Sequence, residues 1–376
     1  MPVSAVKVNR DGVCRLCASH GGKTDWDRLE ADFARIADGL KMRGGRYDCM
    51  VPITGGKDSS FVLHYVRNVR GLNPLAFTWD NGMIRKSAWR NIERAVKAMG
   101  IDHEVVKFDP DYWKRTLRAT LRQIEKVCFC PMFVLLSGIP VAVKHGIPAI
   151  ITGFSEGQRG LDHSFTVPEK EQNLKDIRKL HEVWPPLFRQ CVAAHEDADT
   201  TEKIMDNFFG PMERCLAEHA GPDAYPVVIP LANYVNWMKR RELENILNKS
   251  FGWRKAARAF VHTSCFIEPV KGYLEFTGNM NEIHHELSYL VRGGFMTRGE
   301  ALAELDAMNV NGREPEAAKL FVDFLSISIE EFREIVRKGP PLKVLGEMEG
   351  ITPRDILGTV AWCMGNKDQI VDYAPK

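Results

Sequence analysis

Residues 47–61 read Tyr-Asp-Cys-Met-Val-Pro-Ile-Thr-Gly-Gly-Lys-Asp-Ser-Ser-Phe. The apolar run Cys49-Met50-Val51-Pro52-Ile53 has the length of a short buried strand, and it stops at Thr54-Gly55-Gly56-Lys57-Asp58-Ser59-Ser60. Beyond that point Phe61, Val62, Leu63, Tyr65 and Val66 recur at helical spacing, so the glycines sit between a strand and the first turn of a helix spanning 59 to about 70. A turn of this kind cradles phosphate. Glycine lets the backbone approach an oxyanion closely, and the free amides and dipole at a helix start favour negative charge. The plain alternative is a strand-to-helix turn capped by Asp58 or Ser59.

The spacing excludes two common phosphate loops, since neither G-x-x-x-x-G-K-[ST] nor G-x-G-x-x-G is present. It resembles the S-G-G-x-D-S-[ST] loop of the ATP pyrophosphatases, the PP-loop superfamily, with Thr54 where serine is usual. The resemblance implies an α/β fold with a parallel-sheet nucleotide-binding domain of the adenine nucleotide alpha hydrolase type. It also implies ATP and Mg²⁺ as ligands, catalytic roles for Lys57, Asp58 and Ser59, and nucleotide contacts from Thr54, Gly55, Gly56 and Ser60. Threonine keeps the hydroxyl, so the donor should survive.

The flanking chain supports that fold. Leu75-Ala76-Phe77-Thr78-Trp79 reads as a second strand ending in the turn Asp80-Asn81-Gly82. A helix over 86–99 and a third strand over 104–108 follow, then helices near 112–126 and 133–145 and a fourth strand over 149–152. Repeated βα units imply a parallel sheet with right-handed crossovers and a ligand beyond the carboxyl ends of its strands. Thr78, Asp80 and Gly153 are therefore candidate nucleotide contacts, the first two by resemblance to related PP-loop enzymes.

Ahead of the cradle, Thr24-Asp25 caps a helix whose Trp26, Leu29, Phe33, Ile36, Ala37 and Leu40 form one stripe. From 159 to 222 the chain is charged and helical, with Trp184-Pro185-Pro186 breaking the helices. This is an inserted helical subdomain or lid, or else a solvated surface insertion. A last strand over 227–231 precedes a helix over 232–248 containing Trp237 and Leu243. From 270 onward everything reads as amphipathic helix. The division expected is 1–45 (a C-x-x-C segment and helix), 46–158 (first part of the nucleotide domain), 159–222 (insertion), 223–268 (its last strand and helix) and 269–376 (helical region). His284, His285 and Glu286 fit a solvated helix face or a substrate contact, the first being the commoner fate of such residues.

The 376 residues carry 51 basic and 49 acidic side chains, a net charge of +2, which leaves no electrostatic footprint for nucleic acid. No run approaches the roughly 18 apolar residues that span a bilayer, and no basic-then-apolar leader opens the chain, so a cytoplasmic protein without membrane contact is expected. Nine cysteines at irregular spacing suit thiols or metal ligands. Cys14 and Cys17, with His20 nearby, are half a zinc site by spacing, or two unbonded thiols.

The chain can be narrowed within the superfamily. Asp11-Gly12-Val13-Cys14-x-x-Cys17, Tyr47-Asp48-Cys49, Gly71-Leu72-Asn73-Pro74-Leu75 and Asp80-Asn81-Gly82 resemble the N-acetyl sugar amidotransferases of surface-polysaccharide biosynthesis. So do His262-Thr263-Ser264-Cys265-x-Ile267-Glu268, Tyr273-Leu274 and Arg292-Gly293-Gly294-Phe295-Met296-Thr297-Arg298-x-Glu300. The likeness covers most of residues 9–340. It implies that ATP adenylylates the carbonyl oxygen of an N-acetyl group on a nucleotide-linked sugar, after which ammonia displaces AMP to leave an acetamidino group. Lacking a recognisable glutaminase constellation, the chain would take ammonia from a separate glutaminase with a cyclase-like partner.

Two features depart from that family. A further C-x-x-C often precedes its Asp-Gly-Val-Cys segment, so Cys14 and Cys17 alone cannot make a four-cysteine zinc site. Cys128-Phe129-Cys130-Pro131 stands where tRNA 2-thiocytidine synthetases place a cluster-binding C-x-x-C, and Cys265 would be a third thiolate for a [4Fe–4S] cluster. That implies the competing expectation of an ATP-dependent sulfurtransferase, against the plain one of small buried cysteines at a helix start.

Overall fold

The computed structural model describes residues 10, 24–154, 167–237, 240–255, 265–275, 282–308 and 314–339. Its centre is a sheet of five parallel strands, β1 (Cys49–Pro52), β2 (Pro74–Asp80), β3 (His103–Lys107), β4 (Ala149–Thr152) and β5 (Val227–Pro230), in the order β3-β2-β1-β4-β5. The register pairs Met50 with Leu75 and with Ile150, so β1 lies between β2 and β4. The order reverses at β1, and the ends of β1 and β4 flank the crevice where such sheets take ligands.

Helices cover both faces, which is why the strands other than the edge strand β3 are buried on both sides. On one face Cys49, Val51, Ala76, Ile151 and Ile229 pack under α1 (Trp26–Lys41), α2 (Lys57–His64), α3 (Lys86–Met99) and α8 (Arg240–Phe251). On the other, Met50, Leu75, Phe77, Ile150 and Val228 pack under α4 (Pro110–Ile124), α5 (Cys130–Lys144), α6 (Lys170–Ala193) and α7 (Ala198–Glu218). Asp25 caps α1 as expected, accepting from the Arg28 amide. Downstream of α2 a π-helical turn, Tyr65–Val69, carries the chain to β2.

Pro185 and Pro186 do not break the helices; α6 runs through both. An interior proline costs about 3 kcal/mol. Val183, Trp184, Leu187, Phe188 and Val192 are all buried around them, and each such side chain contributes roughly 1.5–3 kcal/mol. Packing therefore outweighs local propensity. Phe133 of α5 meets Phe188 of α6 and Phe209 of α7 at ring distances of 5.4 and 5.8 Å, so α6 and α7 are part of the core.

The helix expected over 232–248 also differs. A short 3₁₀ turn, Leu231–Asn233, is followed by irregular chain through Trp237, and α8 begins only at Arg240. Tyr234 packs on Phe33 and Trp237 on Phe61, and these tertiary contacts hold the segment out of helix. The C-terminal region forms α9 (Glu268–Leu274), α10 (Glu282–Arg292), α11 (Arg298–Met308), α12 (Ala317–Leu325) and α13 (Ile329–Lys338). In α10, His284 and Glu286 are buried, contrary to the solvated face expected, because Ile283, Leu287, Tyr289 and Leu290 bury the helix on most sides. Among the described residues no helix is long and apolar enough to cross a membrane. Cys14 and Cys17 lie outside the described residues.

Candidate active site

The turn after β1 is shaped by its two glycines in different ways. Gly55 sits at φ +74°, the left-handed region that side chains disfavour, and a Cβ there would lie 2.2 Å from the Ala88 carbonyl oxygen. Gly56 is extended and caps α2 without any side-chain bond, so the first-turn amides of that helix have no partner within it. Behind the turn, the Gly55 carbonyl accepts from Trp253 Nε1 (3.0 Å) and Asn91 Nδ2 (3.2 Å). In front, Ser59 Oγ accepts from the Thr54 amide (3.1 Å) and lies 3.1 Å from Thr54 Oγ1. A glycine-rich turn fixed in this way, on the central strand of a 3-2-1-4-5 parallel sheet, places the chain in the α/β class. The turn is the stretch whose sequence resembles a PP-loop.

Beside the PP-loop is a cavity over the carboxyl ends of β1, β2 and β4. Thr54, Gly56, Asp58, Ser59 and Gly153 line it, together with Phe77, Trp79 and Asn81 from β2 and the residues after it. Gly153 is close-packed on the PP-loop: a Cβ would stand 3.1 Å from Ser59 Cα and from Val62 Cγ2. Asp58 is buried, and its Oδ1 accepts from Lys57 Nζ at 2.6 Å and from Trp237 Nε1 at 3.0 Å. Lys57 and Gly55 thus lie behind the cavity wall, and Ser60 is buried with its hydroxyl unpartnered.

Thr78 and Asp80 do not reach the cavity. Side chains alternate across a strand, so Phe77, Trp79 and Asn81 share one side and Thr78 and Asp80 the other. The Thr78 hydroxyl donates to the Ile53 carbonyl (2.7 Å) and lies 2.9 Å from His103 Nε2, a histidine held below its usual pKa by burial. Asp80 accepts from the Gly82 amide and pairs with Lys107 at 2.9 Å. Both shape the corner of β2, while Asn81 is the residue that enters the site.

The three central cysteines converge on the far end of the same cavity. Cys128 and Cys130 stand at the start of α5, and Cys265 is brought alongside by a bridge to Ile84 and by the Phe266 amide donating to Met83 (3.2 Å). Asn81 Nδ2 donates to both Cys130 Sγ and Cys265 Sγ, each at 3.7 Å. A hydrogen bond from Cys130, helped by Lys271, draws the Cys128 thiol down to about 6 despite burial. Cys130 is pushed up by donating that bond and by burial, and Cys265 is pushed up by burial to about 12. Among the described residues no three Cys, His, Asp or Glu side chains are grouped to hold a single metal ion; the three thiols line one end of the cavity, two of them bridged by Asn81.

Sequence reasoning missed Asn91, Trp237 and Trp253, which hold the PP-loop from outside it. Asn91 had a visible signal: it falls inside the apolar stripe of α3, among Ala88, Ile92, Ala95 and Met99, where a polar side chain must find a buried partner. Trp237 and Trp253, 179 and 198 residues from the atoms they bind, had none.

Residues 273–342 match the family described as LPS biosynthesis protein WbpG-like, C-terminal domain. An uncharacterized protein of Methanocaldococcus jannaschii is 27% identical over 157 residues, 42% of this chain and 54% of the relative, so the chain spans about half the length of the curated relative it matches. Two solved structures are similar at low scores. The U34-tRNA thiolase NcsA of Methanococcus maripaludis, with its [4Fe–4S] cluster, has a TM-score of 0.33 at 12% identity, covering 83% of this chain and 90% of that one. The NH₃-dependent NAD synthetase of Campylobacter jejuni, in complex with nitrate, has a TM-score of 0.26 at 9% identity, covering 52% and 97%. At those scores neither likeness bears on the chemistry of this chain.

Proposed function

We propose that this chain is an ATP-dependent amidotransferase of the PP-loop type, acting on the N-acetyl group of a nucleotide-linked sugar. The observation that carries the reading is the unpartnered first turn of α2, which opens beside Asp58 and Ser59 onto a cavity long enough to have a second, chemically distinct end. The match of residues 273–342 to a WbpG-like family of LPS biosynthesis supports a surface-polysaccharide sugar as substrate.

In this reading the β- and γ-phosphates rest on the amides of Lys57, Asp58 and Ser59. The acetamido oxygen attacks the α-phosphorus, the bond to the bridging oxygen breaks, and pyrophosphate leaves with its charge spread over those donors. Ammonia then attacks the activated carbon, the carbon–oxygen bond breaks, AMP departs, and loss of a proton leaves the acetamidino group. Magnesium bound with the nucleotide supplies charge neutralisation at the phosphates, and Asp58 is the carboxylate beside the PP-loop that would hold it. Ammonia comes from a separate glutaminase with a cyclase-like partner, and the reaction is cytoplasmic.

The convergence of Cys128, Cys130 and Cys265 on the cavity favours a second reading, in which sulfur rather than nitrogen is transferred onto the adenylylated carbonyl. In that reading Cys128, Cys130 and Cys265 are the residues that would hold an iron–sulfur cluster supplying the sulfur.

The test is to purify the protein anaerobically, record its visible absorbance, and assay AMP and pyrophosphate with N-acetylated sugar nucleotides and either ammonium or sulfide. AMP and pyrophosphate with ammonium support the first reading. A brown protein turning over only with sulfide supports the second, and ADP as the sole nucleotide product refutes both.

A further inference from the structure

Asp58 is gripped by a residue from the opposite end of the nucleotide domain. Trp237, in the irregular chain after β5, is itself buried and donates Nε1–H to Asp58 Oδ1 at 3.0 Å. Its ring lies 5.3 Å from that of Phe61, one turn along α2, which fixes the indole against the helix that carries the carboxylate. Lys57 Nζ donates to the same oxygen at 2.6 Å. Both donors take Oδ1. Oδ2 carries no protein hydrogen bond among the described residues, and Asp58 lines the cavity.

The two donors will not behave alike when nucleotide arrives. A lysine ammonium on a flexible stem is drawn toward phosphate charge, whereas an indole locked between Phe61 and the core cannot follow. From this geometry we infer that Trp237 is a positioning residue for the metal–nucleotide complex: it holds the Asp58 carboxylate with Oδ2 toward the cavity after Lys57 has turned to the phosphates. The inference rests on the reading that the PP-loop binds ATP with a divalent cation. Residues that orient a metal-binding carboxylate from behind typically change metal affinity 10–100-fold when removed.

Trp237→Phe keeps an aromatic ring against Phe61 and deletes the N–H together with the indole's second ring. Mn²⁺ binding, followed by electron paramagnetic resonance on the full chain with a non-hydrolysable ATP analogue, should weaken about tenfold or more. Affinity for the analogue without metal should stay within about twofold, the part of binding that Trp237 does not touch. Asp58→Asn should show the metal defect too, and D58N/W237F should be no weaker than D58N, since both act through one carboxylate. Urea unfolding of W237F guards against a fold defect: the metal effect should persist under conditions where W237F is as fully folded as wild type. Wild-type metal affinity in W237F, or losses that simply add in the double variant, would overturn the role of Trp237 while leaving the ATP reading intact. A wild-type chain that binds neither analogue nor Mn²⁺ with it overturns both.

Discussion

Gly55→Ala is the sharpest test of how the PP-loop is built. A Cβ at this position would stand 2.2 Å from the Ala88 carbonyl oxygen, 2.7 Å from its carbon and 2.9 Å from Ala88 Cα, all of them backbone atoms inside α3. No side chain can swing aside to make room. The left-handed conformation adds about 1–2 kcal/mol for any residue with a Cβ, and forcing packed backbone apart adds about 1–3 kcal/mol, so the total lies near 2–5 kcal/mol. Relief by rotating the peptide is blocked too, because it would pull the Gly55 carbonyl from Trp253 and Asn91. Gly44→Ala is the internal control: Gly44 has φ +69° with nothing within 4 Å of its added Cβ, so it incurs only the conformational part. Urea unfolding of the two variants, with and without ATP, separates the terms. The expected result is a much larger loss for G55A than for G44A, together with loss of stabilisation by ATP in G55A alone. Equal losses, or a G55A protein that ATP still stabilises as it does the wild type, would refute the account of Gly55 as a close-approach glycine.

Gly153→Ala should be milder for the fold and harder on the ligand: its Cβ would press the Ser59 backbone by a few tenths of an ångström. Nucleotide affinity should fall about tenfold, below the roughly 10²-fold attached to a full ångström of misplacement, and calorimetric titration measures it. Trp253→Phe removes one of two donors to the Gly55 carbonyl and should cost about 1 kcal/mol, while adding Asn91→Leu leaves that buried oxygen unsatisfied and should cost a further 1–3 kcal/mol, roughly, in urea unfolding. His103 has a folded pKa below the usual histidine value because of burial, so the unfolded chain takes up the proton first as pH falls. Its contribution is whole above about pH 6.5 and is lost as pH drops toward the folded value, and His103→Gln should flatten that part of the slope of stability between pH 7.5 and 5. Iodoacetamide should label Cys128 with a rate that rises through about pH 6, while Cys265 stays unlabelled at neutral pH, and ATP should slow the labelling by filling the shared cavity. Equal labelling of the two thiols at pH 7 would contradict the hydrogen-bonded arrangement.

What the sequence made legible and what it concealed divide along physical lines. The cradle was legible because everything that defines it is local: an apolar run, two adjacent glycines, and helical spacing from Phe61 onward. The order of βα units was equally legible, and with it the parallel sheet. The face of β2 was not. A strand buried on both sides carries no polar alternation, so Pro74–Asp80 offers no clue to which parity meets the ligand; Thr78 and Asp80 are singled out by resemblance to related PP-loop enzymes and by their place at the strand's carboxyl end, neither of which says which way they face. Polarity on such a strand marks a residue with a protein partner, as Ile53, Gly82 and Lys107 prove to be, rather than one facing ligand. Trp184-Pro185-Pro186 misled for a related reason: local breaker chemistry was visible, and the aromatic core that overrides it was not. The same limit hid the anchors of the PP-loop. Trp237 and Trp253 act across 179 and 198 residues on a single carboxylate and a single carbonyl, and no period or motif encodes such a pairing. It follows that the segments around 231–237 and 252–254, which carry no phosphate-binding chemistry of their own, set the shape of the phosphate site as directly as the glycines do. Substitutions there should resemble cradle variants in their effect on nucleotide binding.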